Sequence, residues 1–578
     1  VPDVRANRLP LIVGATIFIV ALLLRLMGLG WGLKNDLHNQ SYHPDEPVIF
    51  GYSQRIEPAK GQFVPGFYNY GTLYLTILRV ASDVVTGYTG GPDKTDDSYW
   101  SWVSRCHEAG RFISAVAGAG TALLLFGMMK RYTSLWGAAL AGALIAFAPA
   151  HVVHSRFQTV DVVAAFFIAA SAYAALRMLP RTEPPDEASA ETTEEGPSSL
   201  AITDKAALKL ACWSGVFAGL SAGTKYTGGL AILTLYAVLI LAKRKRWFME
   251  AVIGTVAMIC TFVVTTPGCV MDTEKFIADI QFESQHVAEG HGFAFMGTPS
   301  GFVFHIFNLG MGIGWLMFLV ALAGLVWAVV KKQTWAIALL AFFIPYYILI
   351  AKAEVKFIRY TFPLYVGLAA GFGWGMAEAH RRKGLGRIAV AVGICGLGGL
   401  DYGGLRASAT MTAQMGFAED SRDIAARYIR QIATPLTRVG FARDSWYWSI
   451  PLEPDSALPP SEPWAARLQK LQTESKPPVD LVLDSSGFPT TFDPNLISKL
   501  HPELIAFTSI EAGDLMRLQS DKSLTNAEQG EIAGPGVFFK QLPESYSQKM
   551  VFGTAGLPVE DMQYVDPIVW IWQRKGTP

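Results

Sequence analysis

Long apolar stretches separated by short polar loops dominate the first four hundred residues of the chain. A bilayer core of ~30 Å is crossed by about 20 apolar residues in helical form, and about eleven windows approach that length. They lie at 11–33, 107–129, 134–152, 158–179, 206–223, 228–243, 249–267, 302–329, 334–351, 361–378 and 387–403. Beyond 403 the pattern changes to a polar, proline-rich, cysteine-free segment, with helical periodicity over 420–433 and strand-like runs at 437–442 and 480–485. The pattern predicts a polytopic α-helical membrane domain over 1–403, followed by a soluble α/β domain over 404–578. No internal repeat or heptad is evident.

The loops set the sidedness. Cytoplasmic loops collect Lys and Arg, so Arg5 and Arg8 place the start of the chain inside. "KRYTS" (130–134), "KRKRW" (243–247), "KK" (331–332) and "HRRKGLGR" (380–387) then fall on the same side. The Pro-, Glu-, Ser- and Thr-rich segment 180–205 reads as a disordered cytoplasmic loop. Outside lie a first loop over 34–105 with interfacial helices, the loop 268–301, and the C-terminal domain. The first apolar run lacks a small-residue cleavage site and reads as a retained signal anchor.

Composition narrows the class further. Of 578 residues 51% are hydrophobic, formal charge balances at zero, and mean hydropathy is +0.28. That excludes an ordinary soluble enzyme and gives no field for nucleic acid. Five cysteines show no metal or disulfide spacing. No D-x-D, H-E-x-x-H or Walker loop occurs, and a cytosolic nucleotide donor would be on the wrong side. A reaction at the outer face therefore needs a donor carried by the membrane.

Candidate chemistry gathers in the outer loops. In "HPDEP" (43–47), Asp45 and Glu46 suit the first turn of a short helix, yet the same carboxylates can face a cavity beside His43. His154, Gln158 and Asp161 share a helix face at i, i+4 and i+7, and ionisable groups at membrane depth point to function. The alternative is a structural Arg156–Asp161 pair. Lys225, set among Gly223, Gly228 and Gly229, and Arg359 are cations at outer helix ends, as Arg25 is late in the first span. Such groups either snorkel, the reading for Lys352 and Lys356, or receive a phosphate. The loop 281–297 carries Glu283, His286, Glu289 and His291, residue types that bind a divalent metal, with His43 as a further ligand. Their spacing matches no standard site, so metal and plain substrate contacts both stay open.

In order along the chain, "LLLRLMGLGW" (22–31), the acidic pair of the first loop, "FYNYGTLYL" (67–75), "HSRFQTVD" (154–161), "GLSAGTKYTGG" (219–229) and "KFIRYTFP" (356–363) resemble the GT-C membrane glycosyltransferases. The group most similar is that of bacterial relatives of the protein O-mannosyltransferases and aminoarabinose transferases, over roughly 10–400. The resemblance implies transfer of a sugar from a polyprenyl phosphate-linked donor to a hydroxyl of a protein, lipid or glycan, with inversion, at the extracytoplasmic face of a bacterial inner membrane. It implies catalytic roles for Asp45, Glu46 and Asp161, donor-phosphate contacts for Arg156, Lys225, Arg359 and His154, and substrate contacts for His43, Tyr70, His286 and His291. No cofactor is implied with certainty. The chain departs from the eukaryotic pattern in having "YNYGT" for a His-Pro-Pro stretch and no β-trefoil insertion, while its tail resembles the outer domain of some bacterial relatives. Two other readings are a polyisoprenoid transporter or flippase, and a non-catalytic subunit of the same fold.

Overall fold

A computed structural model describes residues 8–87, 90–96, 98–181, 202–382, 384–401, 403–434, 437–443, 446–452, 479–481, 491–554 and 560–577. The expected disordered loop falls mostly on 182–201 and the end of the second expected strand on 482–485, both outside the described residues.

The helices run in chain order as α1 (Leu9–Leu26), α2 (Asp45–Ser53), α3 (Leu73–Val85), α4 (Tyr99–Met129), α5 (Leu135–Phe147), α6 (Pro149–His154), α7 (Val160–Leu176), α8 (Asp204–Thr224) and α9 (Ile232–Leu241). They continue as α10 (Trp247–Thr265), α11 (Gly268–Met271), α12 (Thr273–Glu289), α13 (Gly301–Ile313), α14 (Trp315–Val330), α15 (Thr334–Ala351), α16 (Tyr365–His380), α17 (Leu385–Gly398), α18 (Gly404–Phe417) and α19 (Ser421–Ile432). Among the described residues, α1, α4, α8, α10 and α15 are long and apolar enough to cross a membrane alone, and α13 with α14 forms a sixth, bent candidate. Length and composition alone thus qualify five or six spans among the described residues, and four shorter apolar helices fall in others of the eleven expected windows. Shorter apolar helices, among them α5 and α7, pack beside these in one buried core.

Two of the expected windows resolve differently. The window 302–329 breaks at Gly314, whose φ of +105° no side chain adopts easily, and α13 and α14 meet at 113°. Gly301 lies against the end of α15, where a Cβ would sit 2.5 Å from the Ala351 carbonyl oxygen, and Gly314 lies against Gly403 just beyond α17. Both ends of α13 therefore sit at one end of the bundle; α13 runs across it and α14 alone descends. The window 134–152 breaks before Pro149, which starts α6 because a proline nitrogen has no hydrogen to donate back into α5.

The C-terminal domain begins later than expected. Helix α18 caps the same end of the bundle: Ser408 donates to the Phe147 carbonyl at the end of α5 (2.9 Å), and Met415 lies against Gly28 at the end of α1. The sheet domain starts with α19, close to the expected helix. Its strands are β1 (Val439–Phe441), β2 (Val479–Leu481), β3 (Leu504–Thr508), β4 (Tyr546–Phe552) and β5 (Val569–Arg574), in the order β2-β1-β3-β5-β4. Strands β1, β2 and β3 are parallel, and β5 pairs antiparallel with β3 and β4. Alternation along β3 builds two cores: Leu504 and Ala506 pack with Ala425 and Ile429 of α19, while Ile505 and Phe507 pack with Leu515 and Phe538 of the helices Ser509–Leu518 and Asn526–Ser545. Leu37 of the first loop enters the α19-side core and so ties the two halves together.

Candidate active site

At the capped end of the bundle three carboxylates from distant parts of the chain surround one guanidinium. Arg359 lies 3.4 Å from Asp45, 3.6 Å from Asp161 and 3.3 Å from Asp561, and Lys225 binds the other oxygen of Asp161 at 2.6 Å. Each member comes from a helix end or a tight turn. Asp45 opens α2, where its backbone N–H donates to Nδ1 of His43 (3.2 Å). Asp161 is in the first turn of α7, after the extended Thr159. Lys225 ends α8 in an extended conformation, and Arg359 sits in a 3-10 turn, Ile358–Leu364, that leads into α16. Asp561 belongs to the turn before β5. Helix ends leave free backbone groups, and residues there lie at the end of the bundle, where other loops can meet them.

Exposure separates the members. Asp161 and Asp561 side chains are 5% and 1% exposed, whereas Asp45 retains 29%, Lys225 20% and Arg359 11%. One carboxylate and two cations thus keep some exposure, while two buried carboxylates hold the cations in place. Aromatic rings line the cations: Lys225 Nζ is 4.0 Å from the centre of Tyr360, and Arg359 lies 3.9 Å above Phe357. His291 packs on the same Phe357 ring, and its Nδ1 is 3.2 Å from Nε2 of the half-buried His286. Burial first, then His286 and Arg359, keep His291 below the usual histidine value.

The loop "YNYGT" closes another side. Tyr226 donates to the carbonyls of Tyr68 (2.8 Å) and Tyr70 (2.9 Å), while the Tyr68 N–H donates to Asp279 (2.8 Å) and Asn69 to Glu283 (3.1 Å) of α12. Gly71 passes so close to Gly223 that a Cβ would lie 2.1 Å from the Gly223 carbonyl oxygen. The loop, α8 and α12 are thereby fixed to one another around Lys225.

The expected site residues do not all face this space. Glu46 is fully buried, and both oxygens are occupied: Arg111 donates at 2.8 and 2.7 Å, the Gln158 N–H at 2.8 Å, and Ser41 at 2.5 Å. Burial alone would raise its carboxyl, but Arg111 outweighs burial and holds it well below the usual carboxylate range. No lone pair is left for a substrate proton. Arg156, also buried, donates to the Met27 carbonyl (2.7 Å), the Leu24 carbonyl and Thr412, so it caps the end of α1 and is not paired with Asp161. His154 lies 3.5 Å from Asp561 with neither ring nitrogen hydrogen-bonded, behind the exposed groups. His43 packs between Phe157 and Tyr564, where burial draws it down to about 4, so it stays neutral. Lys356, expected to snorkel, is buried and reaches Glu354 (2.9 Å) and Thr298 (3.2 Å). Among the described residues no group of three or more His, Cys, Asp and Glu is placed to hold a metal ion. Arg111, Tyr360, Asp561 and Tyr564 were not legible as site residues; the only local hint is that Arg111 is a charge within an apolar helix.

Residues 104–186 match the family described as dolichyl-phosphate-mannose-protein mannosyltransferase. No curated protein sequence matches the chain. Solved structures with a similar fold include the archaeal oligosaccharyltransferase AglB from Archaeoglobus fulgidus, in complex with an inhibitory peptide and a dolichol-phosphate. That match has 13% identity and a TM-score of 0.50, covering 96% of this chain and 74% of that one. ArnT from Cupriavidus metallidurans in the apo state aligns over 98% of both chains at 13% identity and a TM-score of 0.49. The S. cerevisiae O-mannosyltransferase complex Pmt1-Pmt2, bound to its sugar donor, aligns over 46% of this chain and 34% of that one, at 16% identity and a TM-score of 0.33.

Proposed function

From a chain with the fold of the GT-C membrane glycosyltransferases, related to the O-mannosyltransferase and aminoarabinose transferase group, we propose an enzyme that moves a sugar from a polyprenyl phosphate to an acceptor hydroxyl. The observation that carries this reading is the Asp45–Arg359–Asp161–Lys225 chain of contacts, with Asp45, Arg359 and Lys225 the members left open. The distribution of Lys and Arg among the loops supports an extracytoplasmic site, and a bacterial inner membrane is the setting the resemblance suggests.

In this reading Asp45 accepts the proton of the acceptor hydroxyl as its oxygen attacks the anomeric carbon. The bond from that carbon to the phosphate oxygen breaks, and negative charge builds on the lipid phosphate. Lys225 and Arg359, already fixed by Asp161, stabilise that charge more in the transition state than in the ground state. A single displacement inverts the sugar carbon. Glu46 serves as the buried anchor of α2 and so orients Asp45, its neighbour, rather than taking the proton itself. Tyr70, His286 and His291 border the open side, where substrate contacts are made.

The test uses the full chain in nanodiscs with a panel of undecaprenyl phosphate-linked sugars, reading released undecaprenyl phosphate. Asp45→Asn is expected to lower turnover by about 10²–10⁴-fold with the melting temperature unchanged. Wild-type turnover in that variant would sink the proposal. So would movement of the lipid across a vesicle with its sugar intact, which identifies the transporter.

A further inference from the structure

The segment 560–566 leaves the sheet domain and enters the bundle. Met562, Tyr564 and Val565 join the core of the membrane half, and Asp561 is 1% exposed. Its carboxylate accepts the N–H of Ile358 (3.0 Å) and of Arg359 (3.2 Å) and the Arg359 guanidinium at 3.3 Å. The backbone and the side chain of one arginine are thus held by a single group from the other domain. Tyr564 extends the graft: its hydroxyl is 3.3 Å from Nε2 of His43, the histidine that accepts the Asp45 N–H through its other nitrogen. Arg422, stacked 3.6 Å over Tyr42, anchors the segment by donating to the Tyr564 carbonyl (2.9 Å).

We infer that Asp561 is a positioning residue of the transferase, supplied by the C-terminal domain, which sets the Arg359 guanidinium between Asp45 and Asp161 and keeps it from closing onto Asp45 as an exclusive ion pair. The inference rests on the reading of Asp45 as base and Arg359 as phosphate partner. Arg359 is shared among three anions, and its contact to Asp45 is long, at 3.4 Å. Without Asp561 the cation has two anions left, and the exposed one is the base. A carboxylate in a closer, less shared contact with a guanidinium holds a proton less well. The sheet domain then acts on the reaction through Arg359, whose acidic partners among the described residues are Asp45, Asp161 and Asp561.

The charges and titratable groups around Asp45 define what the experiment reads. Arg359 and Lys225 are the cations; Asp161, Asp561, Glu283 and the adjacent Glu46, itself paired with Arg111, the anions; His43, His154, His291, Tyr70, Tyr360 and Tyr564 complete the surroundings. Of these, Asp561→Asn removes one negative charge and keeps its shape.

The full chain in nanodiscs is assayed against pH with the same donor panel, and undecaprenyl phosphate alone serves as the binding probe. For Asp561→Asn, kcat is expected to fall by about 10–100-fold. The acidic limb of the rate profile should move down by about one pH unit, with undecaprenyl phosphate binding no weaker than wild type. A role in folding alone would lower the melting temperature and leave that limb in place. Should Asp561→Asn fail to fold, Asp561→Glu decides, because it keeps the charge but shifts it by one methylene: a lowered kcat with the limb at its wild-type pH is expected. Wild-type kcat and limb in the Asn variant, or wild-type kcat in the Glu variant, overturn the inference when Asp45→Asn is inactive. If Asp45→Asn is active, the functional reading falls and this inference with it.

Discussion

At the scale of single residues, chemically identical side chains take opposite roles according to what surrounds them. Asp45 and Glu46 are adjacent, yet one is open and loosely held while the other is saturated by Arg111, Ser41 and a backbone N–H. Breaking a buried ion pair strands the partner charge, so Glu46→Gln should destabilise the chain by about 3–5 kcal/mol, seen in a thermal melt, whereas Asp45→Asn should not. Among the cations, Arg156 and Arg25 diverge in the same way from Arg359, which meets carboxylates. Arg156 satisfies carbonyls at the end of α1, and Arg25 those of Ile145 (2.9 Å) and Ala146 (3.3 Å) at the end of α5. A guanidinium suits a helix C-terminus for the reason it suits a phosphate, since both present convergent acceptors and negative potential. Arg156→Met should therefore lower the melting temperature and leave the affinity for undecaprenyl phosphate unchanged in the folded protein, as measured by direct binding in nanodiscs.

At the scale of elements, helix ends and close crossings place the chemistry. The contact of Gly71 with Gly223 brings the N-terminal end of α3 onto the end of α8, two residues before Lys225. Gly71→Ala forces the two backbones apart and is expected to cost about 1–3 kcal/mol, as overpacking does, with a lower melting temperature as the readout. Hydropathy marked α13 and α14 as one span because Phe302, Val303, Ile306 and Phe307 are apolar and exposed. Apolar windows report contact with lipid or core, and they are blind to direction, so the turn at Gly314 was not legible. Helix α18 was assigned to the soluble domain for the converse reason: its polar residues face the ends of other helices, where Ser408 and Thr412 find partners.

At the scale of the molecule, the sheet domain is docked on the first loop as well as on the site. Asp423 accepts from Tyr42 and from Asn35 (2.7 Å), and burial followed by the nearby Asp420 raises its carboxyl to about 6. Within the domain, burial raises Glu511 from 4.5 to about 7, with the Thr508 cap opposing. The folded state then keeps a proton that the unfolded chain has released. Its stabilising effect is complete below the unfolded value of 4.5 and fades as pH rises toward about 7. Glu511→Gln should flatten that decline, which melts of the full chain across this window would show. An unchanged slope would place the pH dependence elsewhere.

The sequence by itself determined the helical membrane half, the α/β tail, the gathering of polar residues in loops on one side, and the identities of Asp45, Asp161, Lys225 and Arg359 as candidates. These depend on local composition, on periodicity, and on a loop-charge rule that acts segment by segment. Only the tertiary structure decided which charges meet. Arg111 lies 65 positions from Glu46, and Arg359 lies 202 from Asp561. A buried charge takes whichever partner packing brings within hydrogen-bond reach, and packing is settled by the whole core at once. The choice of partner divided saturated groups from open ones, and it brought Asp561 of the sheet domain into contact with Arg359 of the membrane half.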